Sequence, residues 1–279
     1  MTTNPTLLKP FNPQQINPRR IAFQFGSQIP RLWFRNSSIM TQLLNGTNLF
    51  LPAFEAYMVH TVQGQLRHLH DPALRSQVKG LIGQESNHSQ AHQQYNDILR
   101  HQNYRFETYL AVVNWFFGRL MPRLGLPLQL AAIAGFEHLT ASLSEITLHH
   151  NTMAQAHPAM KALWEWHAAE ELEHKNIAFD LFEAIQGSYW RRVLGGVLGI
   201  AIVVSFMTTG MLLLAAQDPG FLSFKTLSDL NKLLLTEYRL IPRTVRHIVP
   251  YFQPKFHPSQ RDDRHYGEQI FPRSAIAHH

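Results

Sequence analysis

A chain of 279 residues with 45% hydrophobic and 16% charged side chains is long enough to bury a core and too apolar to be disordered; its length suits one large domain or two small ones. It contains no cysteine, which excludes disulfides, thiolate zinc sites and iron–sulfur clusters, and its 17 histidines leave imidazole and carboxylate as the metal-binding groups. The formal charge of +6 comes without a dense Lys/Arg run interleaved with aromatics, so no nucleic-acid partner is expected.

The N-terminal stretch MTTNPTLLKPFNPQQINPRR is polar and proline-rich. It lacks the apolar core of a signal peptide, so residues 1–37 are expected to form an irregular arm on a cytoplasmic protein. From about residue 38 to 216 apolar residues recur at helical spacing and alternating strand patterns are scarce, so the fold class is all-α. A first helix surrounds Glu55, with Pro52 expected near a helix start. A second begins with Asp71 as N-cap and Pro72 at its first position, and carries Glu85, His88 and His92. FETYLAVVNWFFGRLMPRLGLP reads as a short apolar helix stopped by Pro122, Gly125 and Pro127. A further long helix surrounds Glu137, and Pro158 opens another that runs to Gly187.

The segment Val193 to Ala216 has 24 residues without a charge, preceded by Arg191 and Arg192. At ~1.5 Å per residue it extends about 36 Å, enough to cross a bilayer core of ~30 Å. Gly195 and Gly199 have the GxxxG spacing that allows close helix approach in lipid. Two readings stand: attachment to the inner face of the membrane through residues 193–216, or a buried helix of a larger bundle. The dispersed basic residues from Lys225 to Arg273 fit either an anionic membrane surface or an ordinary basic surface. The expected organisation is an arm (1–37), a helical bundle (38–188), the apolar helix (189–217) and a basic C-terminal region (218–279).

The densest chemistry lies in WHAAEELEHKNIAFD, residues 166–180. Successive helical residues turn by about 100°, so His167, Glu171 and His174 share one stripe about 60° wide. One Glu-x-x-His pair means little, because 12 Glu and 17 His in 279 residues give roughly 0.7 such pairs by chance. The chain has two, Glu85–His88 and Glu171–His174, and a mid-helix glutamate precedes each, Glu55 by 30 residues and Glu137 by 34. Singly, Glu55, Glu85 and Glu137 read as solvent-facing helix carboxylates. As a set, Glu, ExxH, Glu, ExxH with one unit per helix is the ligand order of a four-helix bundle that holds two metals. His92 is expected as a hydrogen-bond partner of the ligands, Glu170 and Glu173 as outward-facing or paired with Lys175, and His138 as structural. His149, His150, His278 and His279 are expected at the surface.

This ligand order, over residues 55–174, resembles the ferritin-like di-iron carboxylate superfamily. His167, four places before Glu171, adds an HxxxExxH string similar to that of N-oxygenases acting on arylamines; the rest of the chain departs from them, so that substrate is not carried over. IPRLWF (29–34), GQESNHSQAH, WEWHAAEELEHKNIAFD and the apolar segment beyond resemble, over most of the chain, a bacterial family named predicted metal-dependent hydrolases. The resemblance implies a ferritin-like four-helix bundle with extra helices and a long apolar C-terminal helix.

Carboxylate and imidazole donors suit two iron ions, with manganese or zinc as alternatives. Two chemistries fit: dioxygen activation, or activation of water against an ester or phosphoester. Dioxygen chemistry is the expectation from the ligand set, hydrolysis the alternative from the family's name, and a non-catalytic metal-binding bundle a third. The expected partners are a small-molecule or lipid-like substrate, with the membrane or a second copy of the chain, as a homodimer, as further alternatives.

Overall fold

A computed structural model describes residues 16–23, 25–26 and 28–271, and among these the regular secondary structure is helical. Four long helices form the frame: α1 (Ser38–Gln63), α2 (Pro72–His101), α4 (Leu126–His149) and α5 (Pro158–Gln186). Between α2 and α4 the chain crosses over through α3 (Glu107–Trp115), a π turn and a 3-10 turn. The apolar segment forms α6 (Tyr189–Ala215), and three short helices follow, α7 (Phe224–Asn231), α8 (Leu240–Ile248) and α9 (Arg264–Glu268).

Local chemistry sets these boundaries. Asp71 Oδ1 accepts from the Ala73 amide at 2.8 Å, and Pro72 fills the first position of α2 where no amide donor is needed. Ser188 caps α6 by accepting from the Arg191 amide. Pro52 departs from expectation: it lies in the middle of α1, not near its start. A helix interrupted by proline loses one backbone hydrogen bond; here the Pro52 carbonyl accepts from Ser89 of α2 at 3.2 Å.

Side-chain pairs fix the helix directions. Asn48 meets His92 and Asn96, while Pro52 meets Ser89, so α1 and α2 run antiparallel. Gln84 meets His174 and His92 meets His167, so α2 and α5 do the same. The core between them includes the fully buried Phe50, Tyr95, Trp166 and Phe182.

Helix α6 packs along α1 and α4. A methyl group on Gly46 would stand 2.3 Å from the Met211 amide nitrogen, and one on Gly195 would stand 2.3 Å from Ala131 Cβ. The GxxxG glycines therefore serve close packing of α6 on the bundle, with Gly199 against Ala132 and Phe136. The other side of α6 is open: only 33% of its most apolar window is buried, and Trp190, Leu194, Val197, Val204 and Leu212 are exposed.

The IPRLWF stretch is a staple. Arg31 reaches Asp218 at the end of α6, Ser38 and Gln42 also bond that carboxylate, and Trp33 donates to Asn45 of α1. Residues 1–15 of the expected arm, with His278 and His279, lie outside the described residues.

Candidate metal centre

Each helix of the frame sends carboxylate or imidazole groups to one point. Glu55 comes from α1, Glu85 and His88 from α2, Glu137 from α4, and His167, Glu171 and His174 from α5. None of the seven is more than 5% exposed. Their donor atoms fall into overlapping groups within 4.8 Å: Glu85, Glu137, Glu171 and His174 in one, Glu55, Glu85 and His88 in another, and His88, His167 and Glu171 in a third. Glu85 and Glu171 each belong to two groups, and so stand where a carboxylate could bridge two cations. The spacing of the sequence explains the convergence, because i, i+3 and i, i+4 side chains lie on one helix face.

The electrostatics of the cluster call for a cation. Buried polar atoms without a partner are rare and costly. Here both oxygens of Glu55, Oε1 of Glu85, Oε2 of Glu137 and Nδ1 of His88 and of His174 are buried without a hydrogen bond of acceptable geometry. Burial, then the charge of Glu85, pushes the Glu55 carboxyl well above the usual carboxylate range. Burial and the neighbouring Glu171 push Glu137 up to about 8. Burial opposes the charge on Glu85, but His174 beside it wins and holds it at about 2. Burial likewise opposes charge on His88, which its contacts with Glu170 and Glu85 raise to about 10. Without a cation, protons neutralise the cluster; divalent ions could replace them, and these residues fit that role.

A second layer orients the imidazoles. His88 Nε2 donates to Glu170 at 3.0 Å, and His174 Nε2 donates to Gln84 Oε1 at 2.9 Å, so each turns Nδ1 inward. Asn48 spends its amide nitrogen on Asn96 and the His92 carbonyl, leaving Oδ1 to accept from His92 Nδ1 at 2.6 Å. His92 Nε2 must then accept from His167 Nδ1, at 2.9 Å, which leaves the lone pair of His167 Nε2 facing Glu171 at 3.2 Å. His92 thus has the expected hydrogen-bonding place, and it also groups with Glu55 and His167 as a candidate donor. Thr140 donates to Glu171 Oε2 at 2.5 Å.

Glu170 and Glu173 do not face outward, nor do they pair with Lys175. Both are buried, at 0% and 4% exposure, and Arg19 of the N-terminal arm bridges them at 3.0 and 2.9 Å. Gln84 also donates to Glu173 at 2.9 Å, while Lys175 pairs with Asp263. The reason is angular: Lys175 is two residues from Glu173 and five from Glu170, spacings that put side chains on different faces. Neither glutamate has a Lys or Arg three or four places away, which was the available sign of a distant partner. Arg19, Asn48 and Gln84 carried no such sign. His138 is structural as expected, stacking on Tyr251 and donating to the His247 carbonyl, and His149 and His150 are exposed.

Thr140 and His167 also line an apolar cavity of about 130 Å³. Leu44, Phe50, Leu143, Trp164 and Met207 form much of the rest of its wall, and no Lys, Arg, Asp or Glu takes part. The cavity therefore touches the candidate ligand cluster from the side where His167 and the Glu171 partner Thr140 stand.

No curated protein and no solved structure matches the chain. Residues 17–262, which contain the whole cluster and its second layer, match the sequence model of a family described as predicted metal-dependent hydrolase, and the chain belongs to that family.

Proposed function

We propose that this protein is a two-metal, iron-loaded enzyme that uses dioxygen to oxidise an apolar substrate. The observation that carries the reading is a buried cluster of four carboxylates and three imidazoles that opens onto a cavity without a charged side chain. Oxygen-rich donors with imidazole and no thiolate favour iron or manganese over zinc. Two iron ions held there would supply the reduction of dioxygen. The chain's own residues do the rest. Glu55 and Glu137, whose carboxyls burial raises in the metal-free cluster, would give up their protons to the ions and hold them as carboxylates. The Asn48–His92–His167 chain keeps His167 Nε2 unprotonated. Apolar walls exclude water and leave an alkyl group as the chemistry on offer.

The family description supports a second reading, hydrolysis of an ester or phosphoester. A phosphoester in this cavity would find no cation of the protein to bind it, which is why oxidation is preferred. We place the protein at the cytoplasmic membrane surface, on the strength of the exposed apolar side of α6.

Metal analysis with Glu171→Ala alongside tests the centre. About two iron ions per chain, lost in the variant, and dioxygen uptake by the reduced protein are expected. Activity on an ester without dioxygen, with manganese or zinc bound, overturns oxidation in favour of hydrolysis. No metal in either protein overturns both.

A further inference from the structure

A second pocket, of about 450 Å³, lies between the C-terminal end of α4 and helices α8 and α9. Arg239, Arg243, Arg246 and Arg261 line it, with Glu145 as the one carboxylate. Arg261 bonds Glu145 at 2.6 Å, and His247 Nδ1 lies 3.4 Å from the same carboxylate. Among the described residues no carboxylate pairs with Arg239, Arg243 or Arg246. The pocket is therefore strongly positive, and its neighbours respond to that. Burial, then Arg261, lowers His247 to about 4, and burial with Arg239 lowers Arg243 itself. Three convergent guanidiniums left without a carboxylate partner, those of Arg239, Arg243 and Arg246, are the chemistry that binds phosphate.

This pocket adjoins the apolar cavity. Ile146 lines both. Tyr238 and Leu240 face the cavity, while Arg239 between them lines the pocket from a left-handed backbone conformation, φ 50°. Beyond it Ile241 and Val245 of α8, with Val249 just after its end, are exposed at helical spacing beside Arg243 and Arg246.

We propose that the arginine pocket binds the phosphate of an anionic amphiphile whose alkyl chain enters the apolar cavity toward the metal cluster. The proposal rests on the reading of that cavity as the substrate site, and it names the substrate class: an alkyl or acyl chain with a phosphate head. The phosphate can come from a membrane lipid or from a free amphiphile.

Binding of octyl phosphate, octanol and inorganic phosphate to the full-length protein, followed by titration calorimetry, tests it. Octyl phosphate should bind at least about tenfold more tightly than either of the others, since head and chain act together. In the Arg243→Gln/Arg246→Gln protein that advantage should disappear while octanol binding holds. Met207→Trp, which fills the cavity, should weaken octyl phosphate and octanol and leave inorganic phosphate. Equal binding of octyl phosphate and inorganic phosphate, or an arginine variant that keeps the advantage, overturns the proposal. Sedimentation with phosphatidylcholine vesicles, with and without phosphatidic acid, separates the sources. Arginine-dependent binding to the acidic vesicles supports a membrane lipid, and octyl phosphate binding without it supports a free amphiphile. These are binding measurements, so they separate from the oxidation reading. A protein that consumes dioxygen but ignores the phosphate head overturns this inference alone; one that binds octyl phosphate without dioxygen uptake overturns oxidation alone.

Discussion

His92 Nε2 lies 2.9 Å from His167 Nδ1, and both rings are buried. The contact links α2 to α5 and, through Asn48, decides which nitrogen of His167 faces the cluster. Replacing His92 by Phe removes the acceptor and frees the His167 tautomer. Metal affinity should fall about 10–100-fold, as for other lost partners of metal-binding imidazoles, read by competition with a chelator.

Arg19 ties the N-terminal arm to Glu170 and Glu173. Its loss in Arg19→Ala leaves two buried carboxylates without their cation, and the folded state should lose about 3 kcal/mol in urea denaturation. A loss below about 1 kcal/mol, the range of a surface pair, would show that the arm does not hold this place in solution.

The pH dependence of the metal-free protein follows from signs. His88 is raised to about 10, so its contribution is full below its unfolded value near 6.5 and is lost as pH rises through 10. Glu137 is raised to about 8, so its stabilisation of the protonated form is full below about 4.5 and is lost as pH rises through 8. Glu85, held at about 2, adds stability above about 4.5 that is lost as pH falls through 2. Chelator-treated protein should therefore melt at a lower temperature at pH 9 than at pH 6. Metal loading should abolish that decline, because cations replace the protons.

The same protons compete with metal. Loading displaces them from Glu137 and His88, so apparent affinity should rise between pH 6 and 8, by about tenfold per pH unit for each proton released. Calorimetric titrations in two buffers of different ionisation enthalpy would count those protons, and a count of zero would contradict the arrangement.

Gly46 tests the packing of α6 on α1. A methyl at Gly46 would meet backbone atoms of Gly210 and Met211, which cannot rotate away. Gly46→Ala should cost about 1–3 kcal/mol of stability, as overpacked contacts do, with the metal-to-chain ratio unaffected. Thermal melting and metal analysis on one preparation would check both halves.

The sequence by itself determined the all-α class, the ends of the main helices and the meeting of the seven candidate residues. Those depend on local rules: period 3.6, the cap at Asp71 with Pro72 after it, and ExxH spacing that turns two ligands to one face. It could also show that 193–216 is apolar, but not that α6 lies along α1 and α4 with one side open. Pro52 was misplaced because α1 runs on through it, its carbonyl meeting Ser89 of α2, a contact no local rule includes. Apart from His92, tertiary structure alone decided the second layer. Arg19 stands 151 residues from Glu170, and Gln84 stands 90 from His174. Partners so distant in sequence meet only through helix packing, and periodicity along one helix says nothing about what the neighbouring helix brings to its face.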